Sequence, residues 1–555
     1  MKRLGTLAVA LAIALTACTR VATTQSGAGT GAAGSSGTAQ RHGWTRPGVL
    51  RIASLQDPDT LNPLLGTFQI DTDLSLFWGA YLFKYDDHGQ DVPELATAVP
   101  TAANGGIAKD GLTITYHLRR GVLWQDGRPF DADDVVFTWH AVMNPNNNVQ
   151  TRVGYDLIRT IETPDKYTLI VRLKQPFAPF VETFFAMSAT TYPVLPKHLL
   201  AAYPDINRIP FNSAPVGTGP FIVKEWHRGQ ILRMVANPHY WRGAPKLTQV
   251  TYQVIPDENT LTTSMKAHDI DLWTNASSTN YPTASNIPAT RAVLTPFVQY
   301  SFLGFNLQRP ITSELAVRKA IAYATDRKRL IDTVTFGVNV PGDGDQPRFL
   351  WAYNAQLRPL PYDPAKAKAT LDAAGWAMGP DGIRTKNGTR LHLVFATTSG
   401  NAVSNRAAVV LQSTLREAGI EVEIKPYASS LMFASYAAGG ILQGGKFDVE
   451  FSAWVNGPDP DDSTTIQCDQ FPPHGQNIYH FCSHQLDALE KVALTHYDRA
   501  TRKRAYDEIQ TIMVDQLPLL TMWFNRRFDV VSDDLKNYRP AHSVSTFWNA
   551  WEYEI

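Results

Sequence analysis

Cysteine is scarce in this chain: three in 555 residues, at positions 18, 468 and 482. No C-x2-C pair occurs, so one of the close-paired ligand sets that announce a zinc site is absent. Surplus charge of either sign is lacking as well. The 51 Lys and Arg side chains equal the 51 Asp and Glu side chains, and no basic stripe or tail offers a footprint for nucleic acid. After the first twenty residues no apolar run reaches the ~20 residues that cross a bilayer. H-E-x-x-H and G-x-S-x-G are missing, and no D-x-D-x-D-G calcium loop with a distal Glu appears. "GILQGGKF" (440–447) falls one residue short of a phosphate loop, with Phe447 where the magnesium-binding Ser or Thr belongs. Nothing here argues for chemistry on a substrate, so no catalytic residue, metal or cofactor is expected.

What is present begins with a basic start, Lys2 and Arg3, followed by an apolar run from Leu4 to Leu15. That run suits a signal-peptide core and is too short to span a membrane. Leu15-Thr16-Ala17-Cys18 resembles a bacterial lipobox, which implies a signal peptide over 1–17 and lipidation of Cys18. An ordinary secretory signal with an incidental Cys is the competing reading. Residues 18–47, mostly Ser, Thr, Gly and Ala, read as a flexible linker. The protein is therefore expected outside the cytoplasm, tethered to a membrane. In that setting Cys468 and Cys482 are most simply a disulfide. Zinc is the alternative, because His474, His480 and His484 share the same stretch.

The chain beyond residue 47 is too long for one core, which stops growing near ~250–300 residues, so at least two lobes are needed. "GLTITYHLRRGVLWQDGRPFDADDVVFTW" (111–139) alternates apolar and polar residues from Leu112 to Leu118, as a half-buried strand does. Asp131 can then cap a helix with Asp134 in the capping-box place, and Val135, Val136, Trp139, Val142 and Met143 share a face. Residues 391–454 alternate strand, helix, strand, short helix, strand, with Gly419 closing the first helix. Such alternation implies parallel pairing.

The first of these stretches resembles the signature region of the peptide/nickel class of solute-binding proteins, family 5, which feed ABC importers. "QDPDTLNPL" (56–64), "PVGTGPFIVKEWHRGQ", "FNLQRPITSELAVRKAIAYATDRKRLI" and "DALEKVALTHYDRATRKRAYDEIQTIMVDQLPLLTMW" continue the likeness in order. The resemblance implies a two-lobed α/β periplasmic-binding-protein-like fold of the large class, with a ligand cleft between the lobes. Lobe I would take 48–300, with an inserted subdomain near 90–210, and a return segment, 525–555. Lobe II would take 301–524. The implied partners are a peptide or other small solute, an ABC permease with its ATPase subunits, and the membrane through the lipid anchor. The binding subunit itself is expected to be a monomer.

"WVNGPDPDDS" (454–463) crowds Asp459, Asp461 and Asp462 into a loop behind Trp454. It follows a strand, and open α/β sheets bind ligands at the carboxyl ends of strands. The bland reading is a turn whose Asp residues cap the next segment. In the family's dipeptide-binding members, an Asp three residues after this Trp pairs with the α-ammonium; here the position is Gly457. An Arg after the strand at 391–396 takes the α-carboxylate there, and alignment places Thr398 at its position. With both ends of that clamp missing, longer peptides suit the chain better than dipeptides. The expectation is a cleft rich in aromatics and backbone donors, with Phe68, Tyr155, Trp454, Gly457, Asp459, Asp461 and Thr398 as its candidate contacts. Core packing is the competing reading for the aromatics. An oligosaccharide or metal-chelate receptor, or a hydrolase using the Asp cluster, are the alternative functions.

Overall fold

Strand Thr113–His117 forms where the alternation placed it, with Ile114 and Tyr116 buried. Helix Ala132–Met143 follows, and its capping box is made: the Asp131 side chain accepts from the Asp133 N–H, and Asp134 reaches back to the Asp131 N–H. The computed structural model describes residues 41–187 and 191–555. The expected signal peptide, Cys18 and most of the expected linker lie outside the described residues. No described helix is long and apolar enough to cross a membrane.

One mixed sheet of eleven strands among the described residues organises the rest. From one edge its order is Glu421–Tyr427, His392–Thr398, Val449–Val455, Thr290–Phe305, Leu519–Ser532, Leu272–Ala276, Val49–Ser54, Gln249–Val254, Ile231–Ala236 and Phe221–His227. The short strand Val340–Pro341 pairs beside Leu519–Ser532. Strand His392–Thr398 pairs in parallel with both Glu421–Tyr427 and Val449–Val455. The crossover is helix Ala402–Glu417, and Gly419 (φ 85°) supplies the left-handed residue beyond its end. On the other side Val49–Ser54 runs parallel to Leu272–Ala276 and to Gln249–Val254.

Two antiparallel strands, Thr290–Phe305 and Leu519–Ser532, join these halves. Their ladder shifts register between Pro296 and Tyr300 and again between Ser301 and Phe302. The apolar cores divide at about that place. One core runs from Leu50 to Leu272 and takes in Val298, Val531 and the tail from Leu535 to Ile555. A second contains Leu303, Phe305, Val317 and Trp523, a third is built around Phe302 and Tyr479, and a fourth around Trp273 and Val530. The fold is thus a two-lobed α/β fold. A three-stranded antiparallel sheet, Thr113–His117, Thr168–Leu173 and Ile158–Asp165, adds to the first core.

"PVGTGP" earns its glycines by close approach. Helix Gln69–Trp78 ends against it, and the Gly219 N–H donates to the Trp78 carbonyl at 2.9 Å. A Cβ at Gly217 would stand 1.8 Å from that same oxygen. The helix is thereby seated on the first core, where Leu74, Phe77 and Trp78 are fully buried, each a contribution of ~1.5–3 kcal/mol. Its other end faces the cleft.

Candidate functional site

A cleft of about 580 Å³ opens over the strand pair that joins the lobes. Its floor is Phe297, Gln299 and Ser301 from one strand and Asn525, Arg526 and Arg527 from the other. The register shifts sit in this floor, and the Ser301 hydroxyl donates to Asn525 Oδ1 at 2.9 Å across it. One wall comes from the first lobe: Gln69 and Asp73 on helix Gln69–Trp78, Glu258, and Asn275 to Ser278 at the end of strand Leu272–Ala276. The facing wall comes from the ends of two parallel strands of the second lobe, with Thr398, Asn401 and Ser404 after one and Phe451 to Ala453 in the other. Carboxyl ends of strands thus supply much of both walls.

Amide and hydroxyl side chains outnumber apolar ones in this lining, with Phe297, Phe433 and Phe451 the only aromatics among the described lining residues. The expected aromatic-rich cleft is corrected here. The aromatics collect instead in a neighbouring apolar pocket of about 280 Å³ that shares Phe433, Ser452 and Ala453 with the cleft. Trp454 lines that pocket with Tyr300, Phe302, Ile466 and Tyr479, and is 36% exposed.

Charge in the cleft is mostly spoken for. Asp73 is buried and pushed up to about 6 by that burial, with the Arg527 guanidinium and hydrogen bonds from Thr546 and Gln69 pulling the other way. Arg527 donates to Thr546 Oγ1 and to the Ala541 carbonyl, and lies 3.5 Å from Asp529. Asp529 is held in turn by Thr274, the Asn275 N–H and Tyr538. Glu258 is raised by burial and accepts from the Asn280 side chain. Arg526 differs. Its backbone N–H donates to Asn339 Oδ1 at 3.0 Å, and its half-buried guanidinium has no ion pair or hydrogen bond with any described residue.

Of the candidate contacts, Thr398 lines the cleft. Phe68 precedes helix Gln69–Trp78, next to the lining residue Gln69, and is 45% exposed. Gly457 lines neither the cleft nor the apolar pocket. Tyr155 is a correction: it is 1% exposed, packed on Phe185 and Tyr192, its hydroxyl donating to the Thr183 carbonyl and accepting from the Phe185 N–H, each at 3.0 Å. A buried tyrosine with both bonds made belongs to the core. Asp459 is turned away from the cleft into a two-pronged ion pair with Arg502, both contacts 2.7 Å. Asp461 accepts from the Ser463 N–H at 3.0 Å, the turn-capping role.

Behind the loop, Asp462 meets Asp345 and Glu490, all buried. Neither carboxyl oxygen of Asp345 or of Glu490 finds a donor among the described residues. Burial, reinforced by the neighbouring acids, raises Asp462 well above the ordinary range and pushes Glu490 up to about 8. At about 8, Glu490 holds its proton at neutral pH. The aspartate-rich loop therefore anchors the end of strand Val449–Val455 to helices His484–Thr495 and Arg499–Gln516, and its carboxylates are not presented to a ligand. Cys468 and Cys482 are joined in a disulfide. His484 Nδ1 lies 3.9 Å from Cys468 Sγ, but bonded sulfurs offer no thiolate to a metal.

Sequence reasoning reached the loop after strand Val449–Val455 and missed Asn275, Asn401, Ser404 and Arg526. The same strand-end rule, applied to Leu272–Ala276 and His392–Thr398, would have found the first three. Arg526 is carried by a strand interior and has no such signal.

Two lobes, a wide polar cleft between them and a two-strand joint beneath it define a binding protein that takes up its ligand between lobes. The model of bacterial extracellular solute-binding proteins, family 5, matches residues 92–471, and the chain belongs to that family. It is 28% identical over 519 residues to the oligopeptide-binding protein AppA of Bacillus subtilis (91% of this chain, 92% of that one). It is 31% identical over 473 residues to Protein XP55 of Streptomyces lividans (84% and 81%). The structure of Bacillus subtilis AppA in complex with a nonapeptide superposes with a TM-score of 0.74 at 26% identity, covering 92% of this chain and 99% of that one. NikZ from Campylobacter jejuni in complex with Ni(L-His) superposes at 0.76 with 25% identity, covering 92% and 100%.

Proposed function

We propose that this protein captures oligopeptides in the inter-lobe cleft and delivers them to an ABC permease with its ATPase subunits. The observation that carries the reading is the near full-length likeness to an oligopeptide-binding protein whose structure holds a nonapeptide. The cleft agrees with it in chemistry. Its amide and hydroxyl lining pairs with a peptide main chain without dictating side chains. Lobe I is assigned to 48–300 with 525–555, and lobe II to 301–524. Thr398 and Phe68 remain proposed contacts at the rim, with Trp454 in the adjoining apolar pocket. The protein acts as a monomer without catalysis, exported under a signal peptide over 1–17 and lipid-anchored through Cys18.

Native mass spectrometry of the purified protein, before and after unfolding, tests the reading. A heterogeneous set of peptide masses released on unfolding is expected. One discrete non-peptide mass would transfer the assignment to a chelate or sugar, the former favoured by the likeness to NikZ with Ni(L-His).

A further inference from the structure

Among the described residues only two cations line the cleft, Arg526 and Arg527, and they are in opposite situations. Arg527 is buried and tied to Thr546, the Ala541 carbonyl and Asp529. Arg526, one residue away on the same strand, is half buried with five N–H donors that meet no acceptor of any described residue. The two acids on the cleft wall do not neutralise it. Asp73 is bonded to Thr546 and Gln69, Glu258 to Asn280, and neither is within ion-pair distance of Arg526.

The facing wall carries donors but no charge. Thr398, Asn401 and Ser404 stand at the amino end of helix Ala402–Glu417, and the buried Ser404 hydroxyl has no partner. An anionic group entering this cleft meets neutral donors there and one unneutralised guanidinium, on the floor. A partly desolvated guanidinium is a fork matched to a carboxylate, and the pair gives two parallel charge-assisted hydrogen bonds.

We propose that Arg526 receives a carboxylate of the bound solute, so that the cleft selects ligands bearing a free carboxylate. On the peptide reading above, which this inference takes as its base, the group is the peptide's terminal carboxylate. Arg526 is then a specificity-determining residue. Charge lost from the lobe II wall at Thr398 is supplied from the joint between the lobes, where it is present whether the cleft is open or shut.

The test is titration calorimetry of the full chain, stripped by unfolding and refolding, with four probes. These are a random pentapeptide pool as free acids, the same pool amidated, galacturonate oligomers and neutral galactose oligomers. The wild-type protein is expected to bind the free-acid pool about ten- to a hundredfold more tightly than the amidated pool, the range of a charged hydrogen bond. Arg526→Gln should bring free-acid affinity down toward that of the amide without changing the unliganded melting temperature, and Arg526→Lys should lie between. Equal binding of acid and amide by the wild type, or a preference that survives Arg526→Gln, overturns the inference while the peptide reading stands. Should neither peptide pool bind, but galacturonate bind over galactose in an Arg526-dependent way, the peptide reading falls and the inference holds. If no acidic probe binds better than its neutral partner, the inference is wrong.

Discussion

Tyr155 and Asp459 show how a side chain suited to a ligand is taken by the fold instead. Tyr155→Phe removes a hydroxyl that serves both the part-buried Thr183 carbonyl and the buried Phe185 N–H, leaving both backbone groups without that partner. Such a loss costs ~1–3 kcal/mol. Urea denaturation should show the drop, and calorimetric peptide affinity should not move; a weakened affinity with unchanged stability would put Tyr155 back at the cleft. Asp459→Asn is expected to cost more. It strands the Arg502 guanidinium, buried and shared with the Ala493 carbonyl, and breaking one side of a buried ion pair costs ~3–5 kcal/mol. The same denaturation assay reads it. A loss below about 1 kcal/mol, as for an exposed pair, would mean that the ion pair does not hold the loop.

The loop that Asp459 pins belongs to a larger unit with strand Val449–Val455 and helix His484–Thr495, and the unit is pH-sensitive. Glu490, fully buried on that helix, is pushed by burial from 4.5 to about 8, so the folded protein holds this proton more tightly than the unfolded chain. Stability from that proton is complete below about pH 4.5 and drains away as pH rises through about 8. Glu490→Gln keeps the shape and removes the titration. The two proteins should melt alike near about pH 5, and the variant should lose less melting temperature toward about pH 9. Identical slopes would show that Glu490 does not carry the titration. Glu450, also pushed up to about 8 by burial, keeps some slope in both. Of this unit, the strands and helices were legible in the sequence, since period-2 and period-3.6 patterns and Gly419 are local signals. The capping box at Asp131 and the parallel order of the strands over 391–454 were legible for the same reason. The roles of the loop acids were not. Whether an Asp faces solvent, a ligand, Arg502 or Glu490 depends on helices downstream of the loop, and spacing carries no record of that. Nor does spacing reveal that the strands bearing Phe297 and Arg526 lie side by side, because their pairing joins segments more than 200 residues apart.

That distant pairing decides how the whole molecule can move. The separate cores on either side make each lobe a body that keeps its packing while the angle between lobes changes. The joint is Thr290–Phe305 with Leu519–Ser532, whose ladder is interrupted between Pro296 and Tyr300. Pro296 has no N–H to give, and an irregular stretch of ladder bends more readily than a regular one. Bending there brings Thr398 and Ser404 toward Asn275 and Glu258 across the cleft, while Arg526 stays on the floor. A ligand touching both walls gains its contacts only in the closed form, and that differential affinity is what shifts the population. Small-angle scattering of the stripped protein should therefore give a larger radius of gyration than the same protein saturated with free-acid peptide. Arg526→Gln at matched saturation should still close, because the residue belongs to the floor and not to either wall. A radius unchanged by a ligand that native mass spectrometry shows to be bound would leave the lobes rigid, and capture would then have to rest on a preformed cleft.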